Sequence, residues 1–174
     1  VLSVAWSSDN NTLASSGDDD SIRLWSANTD ECVRTIQANS NGIKSVNFNC
    51  DAQILVSAGY DATAKLWDVH TGQCQKILQG HSETIESIAF SPDSSTLVSG
   101  GYDETVKLWD VANNGVCLHT MQGYKINWVW SVAYSPDGQL LASANQDKTV
   151  KIWSVATGKC LKTLQDHANR VWSI

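Results

Sequence analysis

A serine, an aspartate and an upstream histidine stand within a short part of the chain, and these three residue types can do chemistry together. Residues 99–110 read SGGYDETVKLWD, which includes Ser99 and Asp103, and His81 precedes them. In serine hydrolases a histidine takes the proton of the serine hydroxyl while an aspartate orients the histidine. The three residue types therefore raise the hypothesis of a hydrolase with a Ser-His-Asp set.

The serine and the aspartate recur along the chain, which argues against that chemistry. A catalytic serine is needed once, but the equivalent places hold Ser15, Ser57, Ser99 and Ser143, and Asp19, Asp61, Asp103 and Asp147. None of these serines lies in the Gly-x-Ser-x-Gly turn that exposes the nucleophile of many hydrolases. We therefore expect no catalytic residues and no enzyme activity, with the hydrolase as the disfavoured alternative.

Tryptophan and a second set of serines mark the same repeat. The tryptophans are Trp25, Trp67, Trp109 and Trp153, at intervals of 42, 42 and 44 residues. The serines, each inside a β-type run, are Ser3, Ser45, Ser87, Ser131 and Ser173. Self-similarity with a period of roughly 20–50 residues is typical of repeat architectures.

Each unit contains four short runs that favour β-strands. In the third unit the runs are TIESIAF, STLVSGG, TVKLWDV and CLHTMQ, rich in Val, Ile, Thr and aromatic residues. Turn sequences such as SPDSS at 91–95 separate them. The pattern predicts four antiparallel strands per unit, and neighbouring units must stack because a lone sheet would leave apolar faces uncovered.

Several motifs resemble those of the WD-repeat family. They are the pairs Trp67-Asp68, Trp109-Asp110 and Gly80-His81 and the repeated Ser-Pro-Asp turns. The resemblance implies an all-β fold, a β-propeller of four-stranded antiparallel blades. Over residues 1–174 we predict one propeller segment with four complete blades and the first strand of a fifth, at about 1–38, 39–80, 81–123, 124–166 and 167–174. The run at 152–167, IWSVATGKCLKTLQDH, is similar to bacterial, especially cyanobacterial, arrays.

The resemblance also gives the Ser-His-Asp set a structural role. In WD repeats a histidine, a serine, an aspartate and a tryptophan form a buried hydrogen-bond network, which here implies His81, Ser99, Asp103 and Trp109. The other blades supply Ser15, Asp19, Trp25, Ser57, Asp61, Trp67, Ser143, Asp147 and Trp153. Asn39 stands in place of the histidine in the second blade, and Tyr124 or Lys125 in the fourth. We therefore expect these two blades to be held less firmly.

By the same resemblance, three positions per blade lie on the "top" face, where partners of such propellers bind. They are Lys44, Glu86, Trp130 and Trp172; Gly42, Thr84, Trp128 and Arg170; and Asp18, Tyr60, Tyr102 and Gln146. Five of the twelve are Trp or Tyr, which together with Arg dominate interface hot spots. The alternative is that Trp128 and Trp130 pack into the channel wall or against a neighbouring blade.

Composition narrows the classes of ligand. The net charge of −6, without a basic patch, argues against nucleic acid. No apolar stretch is long enough to span a membrane, and we expect no membrane partner. The acidic run at 17–20 and the histidines lack the spacing of metal ligands, so we expect no metal and no cofactor.

Four repeated cysteines, Cys32, Cys74, Cys117 and Cys160, are expected to be buried and unpaired, which favours a reducing, cytoplasmic location.

These observations predict a non-catalytic scaffold or sensor module that binds protein or peptide partners, in a larger signalling protein. A substrate-receptor or adaptor propeller of a eukaryotic-type complex is the alternative. The chain opens inside a first strand and closes with another. We therefore expect either further blades in the same chain or self-assembly of several copies to complete the ring.

Overall fold

A computed structural model of the chain describes residues 1–38, 40–122 and 127–174. The described residues form sixteen β-strands in four sheets. The first sheet contains β1 (Ser3–Trp6), β2 (Thr12–Ser16), β3 (Ser21–Ser26) and β4 (Cys32–Gln37), and the second contains β5 (Ile43–Phe48), β6 (Ile54–Gly59), β7 (Thr63–Asp68) and β8 (Cys74–Gln79). The third contains β9 (Ile85–Phe90), β10 (Thr96–Gly101), β11 (Thr105–Asp110) and β12 (Val116–Gln122), and the fourth contains β13 (Val129–Tyr134), β14 (Leu140–Asn145), β15 (Thr149–Ser154) and β16 (Cys160–Gln165).

Every sheet is an antiparallel meander in which consecutive strands are neighbours. The register repeats from sheet to sheet, with Ser57 opposite Lys65 in the second sheet and Ser99 opposite Lys107 in the third. The predicted all-β class with four-stranded antiparallel blades is confirmed. No helix among the described residues is long and apolar enough to cross a membrane.

The tight turn between the second and third strands takes the same form in every sheet. The residue after the repeated aspartate has a positive φ, between 60° and 70°, at Asp20, Ala62, Glu104 and Lys148. Side chains other than Gly, Asn and Asp seldom adopt this conformation, so the turn must be held by its surroundings. The aspartate before it accepts hydrogen bonds from the first residue of the third strand, as Asp61 does from the backbone and hydroxyl of Thr63.

Three separate apolar cores lie between neighbouring sheets. In each of them the second and third strands of one sheet pack against the first three strands of the next, which contribute the repeated tryptophan. The central members are Ala14, Ile22, Leu24, Leu55 and Trp67; Val56, Ala64, Leu66, Leu97 and Trp109; and Val98, Val106, Leu108, Leu141 and Trp153. The predicted stacking of small cores is therefore present, and it determines how the sheets are placed.

The first strands of successive sheets are joined by the repeated serine. The Ser3 hydroxyl accepts a hydrogen bond from the backbone N–H of Val46 at 3.2 Å. Ser45, Ser87 and Ser131 make the equivalent bonds to the N–H groups of Ile88, Val132 and Ile174 at 3.2, 3.1 and 3.3 Å. The serine that served only as a marker in the sequence is thus a link between neighbouring sheets.

The row of four sheets is not closed on itself, and its first sheet has an uncovered face. Val4 and Trp6 of β1 are 60 % and 58 % exposed. Their equivalents in the second sheet, Val46 and Phe48, are buried in the first core. The uncovered face therefore has apolar residues at the positions that, in the second sheet, pack against a neighbouring sheet.

Two expectations from the sequence are corrected. Residues 167–174 were expected to form the first strand of a fifth blade; they are not in a sheet, although the N–H groups of Val171 and Ile174 bond Asn145 and Ser131 of the fourth sheet as a first strand does elsewhere. The repeated cysteines were expected to be buried, but Cys32, Cys74, Cys117 and Cys160 are all exposed as free thiols. They begin the outermost strands or, in the case of Cys117, follow the first residue of one, and no further strand covers that edge of the sheet.

Candidate functional site

The third sheet brings His81, Ser99, Asp103 and Trp109 into one chain of hydrogen bonds. His81 Nδ1 lies 2.8 Å from Asp103 Oδ2, and His81 Nε2 lies 2.6 Å from Ser99 Oγ. The Trp109 indole N–H donates to the same Ser99 oxygen at 2.8 Å. Every donor finds an acceptor if the histidine carries its proton on Nδ1 and the serine hydroxyl donates to Nε2. We assign that tautomer.

Burial and hydrogen bonding prevent this set from acting as a hydrolase triad. The Ser99 side chain is fully buried, so no substrate can reach its oxygen. That oxygen also accepts the indole N–H of Trp109, whereas a nucleophile must point its lone pair at a substrate. The geometry of the three residues therefore serves to satisfy buried polar groups, which would cost free energy if left without partners.

The Asp103 carboxylate is the most heavily bonded group of the network. Besides His81 it accepts the backbone N–H groups of Ser82 and Thr105 and the Thr105 hydroxyl. Burial of the carboxyl group raises its pKa, but the hydrogen bond from His81 and the bonds from Thr105 outweigh burial and lower the pKa of Asp103 to about 2. The carboxylate thus remains charged at all physiological pH values.

The Trp–Ser half of the network is present in all four sheets. The indole N–H groups of Trp25, Trp67 and Trp153 donate to Ser15, Ser57 and Ser143 at 2.8, 2.8 and 3.0 Å. The predicted positions of these residues are therefore brought together as the repeat implies. Asn39, Tyr124 and Lys125, which were predicted to replace the histidine, lie outside the described residues.

A cation from the third strand takes the place of the histidine beside the aspartate in the other sheets. Arg23 lies 2.7 Å from Asp19, Lys65 lies 2.8 Å from Asp61, and Lys151 lies 3.5 Å from Asp147. In the second sheet Lys65 Nζ also donates to the Ala38 carbonyl and the Ser40 hydroxyl. Sequence reasoning missed these residues, although a cation four positions after the repeated aspartate was the signal for them.

The two strands that carry the predicted top-face residues meet at one edge of each sheet. Because the strands are antiparallel, the first strand begins where the second ends, as at Val129 opposite Asn145. Trp128 and Trp130 lie at the beginning of β13, and Gln146 follows β14 with its backbone N–H bonded to the Trp128 carbonyl at 2.9 Å. The repeated register thus places one small group of side chains per sheet along a common edge.

Four aromatic side chains of this edge form a continuous group, called here the top-face cluster: Tyr102, Trp128, Trp130 and Trp172. Tyr102 stacks on Trp128 with ring centroids 4.7 Å apart and meets Trp130 edge-on at 5.4 Å. Trp128 and Trp130 are 5.8 Å apart, and Trp130 and Trp172 are 4.4 Å apart. Such ring pairs contribute more to stability than the burial of their apolar area alone would give.

The cluster is neither wholly core nor wholly surface. Tyr102, Trp128 and Trp130 are partly buried, while Trp172 is 59 % exposed. The rings contact one another across the third and fourth sheets, in line with the expectation that these tryptophans pack against a neighbouring blade. The exposed parts of the rings are available to a ligand. Packing against a neighbouring blade and binding of a partner are therefore compatible roles for these residues.

A charged group adjoins the cluster on the side of the second sheet. Lys44 Nζ lies 3.4 Å from Glu86 Oε1 and 4.8 Å from the centre of the Tyr60 ring. Partial burial opposes the charged form of Lys44, but its neighbours Tyr60 and Glu86 raise its pKa. Burial and the adjacent Glu86 carboxylate raise the pKa of Tyr102. Of the remaining predicted positions, Gly42 lies beneath Tyr60, Thr84 is buried and Asp18 is exposed.

Four antiparallel sheets that stack in register, each fastened by a Trp–Ser bond, define a protein of the β-propeller class. The chain belongs to the WD40 family, since the model of the WD domain, G-beta repeat, matches residues 1–26, 30–68, 72–110 and 115–154. A comparison with curated proteins gives no match. Domains of this family are in general non-catalytic modules that mediate protein interactions.

The matched repeats are offset from the sheets by one strand. The match at 30–68 includes β4, the outermost strand of the first sheet, and then β5, β6 and β7 of the second. The match at 72–110 spans the second and third sheets in the same way. Each of the last three matched repeats is therefore shared between two sheets, which connects neighbouring sheets through the chain itself.

Proposed function

We propose that this chain is a non-catalytic scaffold or sensor module that presents its top face to protein or peptide partners in a signalling assembly. The observation that carries the proposal is the top-face cluster. Its four aromatic rings are not part of the Trp–Ser bonds, and one of them, Trp172, is more than half exposed. Aromatic residues of this kind dominate the energetics of protein interfaces.

Rigid presentation is the mechanism of the proposed binding. The cluster residues lie in or next to strands whose sheets are fixed by the apolar cores and by the serine links. A ligand that binds a fixed surface loses little free energy to the ordering of that surface. The scaffold thus raises affinity without contributing chemistry of its own.

The kind of partner and the compartment follow from charge and from the cysteines. A net charge of −6 favours protein partners over nucleic acid, whose phosphates would be repelled. Five exposed free thiols are compatible with a reducing compartment, and we place the protein in the cytoplasm on that ground. The uncovered face with Val4 and Trp6 is proposed to receive another sheet of the same kind, from this chain or from a second copy.

The test is partner capture by a double variant, Tyr102→Ala with Trp130→Ala. We expect the double variant to lose at least about tenfold in the recovery of partners from a cell extract, because two hot-spot side chains are removed. Circular dichroism and urea unfolding must show that the variant is folded. Trp172→Ala, which removes the most exposed ring, is expected to weaken capture without a folding defect.

Ile77→Ala is the control, since it removes a half-exposed apolar side chain from the outermost strand of the second sheet, away from the cluster and from the uncovered face. We expect this control to retain the partners whose capture depends on the cluster. Equal recovery of all partners by the wild-type chain, the double variant and Trp172→Ala would contradict the proposed function.

A further inference from the structure

Three buried polar atoms at the top face have no hydrogen-bond partner among the described residues. Two are acceptors, Glu86 Oε1 and Gln146 Oε1, and one is a donor, Trp130 Nε1. Buried polar groups in native proteins are in most cases paired, so each exception needs a reason. All three belong to residues that line the same edge of the third and fourth sheets, and the two acceptors point to a ligand that supplies N–H donors.

The two acceptors flank the rings of the top-face cluster. Glu86 lies in β9, two residues after Thr84, whose carbonyl accepts the backbone N–H of Tyr102 at 2.9 Å. Gln146 is bonded through its backbone N–H to the Trp128 carbonyl. The two acceptors therefore belong to residues that adjoin the paired rings of Tyr102 and Trp128.

The two acceptors and the rings together select a guanidinium group. Glu86 Oε1 and Gln146 Oε1 each need an N–H donor, which excludes a quaternary ammonium group because it has none. A guanidinium group carries five N–H donors in a flat fork and stacks on aromatic faces, whereas a lysine ammonium group is a compact point charge. The set of two separated acceptors and flat rings therefore fits arginine better than lysine.

Two cations of the chain itself already lie over aromatic rings at the margins of the top-face cluster. The Arg170 guanidinium carbon lies 5.9 Å from the Trp172 ring centre, and Lys44 Nζ lies 4.8 Å from the Tyr60 ring centre. Among the described residues no cation lies over the rings of Tyr102, Trp128 or Trp130. Lys44 pairs with Glu86 at 3.4 Å without forming a hydrogen bond, so the Glu86 oxygen retains its capacity to accept one.

We propose that the top face binds an arginine side chain of a protein partner, with its guanidinium group bonded to Glu86 and Gln146 and packed against the top-face cluster of Tyr102, Trp128 and Trp130. This inference rests on the proposed function, since it names the chemistry of the partner at that same surface. The net charge of −6 attracts a cationic partner to the site. A change in side-chain rotamer within the cluster, of the kind common at interfaces, gives the guanidinium group access.

The experiment uses N-acetyl-arginine amide as the probe and follows the indole N–H signals of the eight tryptophans by nuclear magnetic resonance. We expect the signals of Trp128 and Trp130 to shift on titration. N-acetyl-citrulline amide, which has nearly the same shape without the charge, should bind at least about tenfold more weakly, because charge-assisted hydrogen bonds are the strong ones. N-acetyl-lysine amide should also bind several-fold more weakly.

Glu86→Gln tests the site, and Glu83→Gln is its matched control. Glu83 is exposed three residues earlier, so the control makes the same change in net charge away from the rings. We expect Glu86→Gln to weaken binding of the arginine probe at least about tenfold and Glu83→Gln to change it less than about twofold. Equal binding of the arginine and citrulline probes, equal binding of the lysine probe, or equal loss in both variants would overturn the proposal.

The outcomes separate this inference from the proposed function. If the arginine probe does not bind while Tyr102→Ala with Trp130→Ala still loses its protein partners, the guanidinium proposal is wrong and the binding surface stands. If the double variant captures partners as the wild-type chain does, the proposal that the top face is the binding surface is wrong.

Discussion

At the scale of residues, the same three residue types can serve catalysis or stability, and burial decides between them. His81, Ser99 and Asp103 have the distances of a triad, but Ser99 is fully buried and its oxygen accepts the Trp109 indole N–H. A nucleophile needs access to a substrate, whereas a structural group needs only partners. The network therefore contributes free energy of folding, and Asp103 is the residue at which that contribution can be measured.

The first prediction concerns Asp103→Asn. Because the folded state lowers the pKa of this carboxyl group from 3.8 to about 2, its charge stabilises the fold above pH 3.8, and the contribution is lost as the pH falls through about 2. We expect the variant to unfold at pH 7 with a free energy lower by about 1–3 kcal/mol, because buried bonds are broken. Urea unfolding at several pH values should show this difference shrinking between pH 4 and pH 2.

The exposed Asp166 provides the control, since Asp166→Asn removes one negative charge without breaking a buried network. This control should unfold like the wild-type chain at every pH. A difference between Asp103→Asn and the wild-type chain that stays constant down to pH 2 would show that the charge of Asp103 does not stabilise the fold.

At the scale of elements, the third strand of each sheet supplies the tryptophan that bonds the repeated serine, and in the second sheet it also supplies a lysine that bonds the preceding loop. Lys65 bonds the Ala38 carbonyl, the Ser40 hydroxyl and Asp61. The equivalent Lys107 bonds the Thr120 hydroxyl, because Asp103 in that sheet is already bonded to His81. The blades without a histidine were predicted to be held less firmly, but the bonds of the lysine stabilise the second sheet at the same place. Substitution of the lysine can measure that contribution to the free energy of unfolding.

The second prediction compares Lys65→Met with Lys107→Met, since the two lysines are both 8 % exposed. Methionine keeps the length of the side chain and removes its charge. We expect Lys65→Met to lower the free energy of unfolding by about 1–3 kcal/mol, because Asp61 and two further acceptors lose a charged donor. Lys107→Met should cost less than about 1 kcal/mol, as a single hydroxyl loses its contact.

Urea unfolding of the two variants and the wild-type chain is the measurement. Equal stability of Lys65→Met and Lys107→Met would show that the lysine does not replace the histidine in the second sheet.

At the scale of the whole molecule, stability is shared along a row of sheets in which the cores lie between neighbours. Each of the three cores joins two adjacent sheets, and the serine links run along the first strands in the same order. In such molecules stability is close to a sum of the stabilities of units and of the contacts between neighbours. The links should therefore contribute separately to the whole.

The third prediction is that Ser87→Ala weakens the junction of the third and fourth sheets. The variant removes the acceptor of the Val132 N–H, and we expect the free energy of unfolding to fall by about 0.5–1.5 kcal/mol in urea unfolding. Ser173 has the equivalent place in the repeat but is exposed, so Ser173→Ala should leave stability unchanged. A loss of the same size in both variants would show that the serine link does not join the sheets.

The sequence predicted the parts of the site that depend on position within the repeat. Four Trp–Ser pairs and the turn aspartates lie where their spacing placed them. The sequence did not reveal that Lys65 and Lys151 approach the aspartates, because that depends on the direction of long side chains across a strand. The exposure of Cys117 and its equivalents was also missed, since burial depends on whether another strand covers the sheet edge.

The sequence by itself determined the period, the four strands of each unit and the all-β class, because turn residues and strand propensities act locally and repeat with the motif. Only the tertiary structure decided which side chains of different units touch. The top-face cluster joins residues from the turn after β10, from the beginning of β13 and the residue before it, and from the segment after β16, and the three unpaired polar atoms in and beside it appear only when the sheets stack. Contacts between units depend on the rotation of one sheet against the next, which is set by the packing of the cores and is not encoded at any single position.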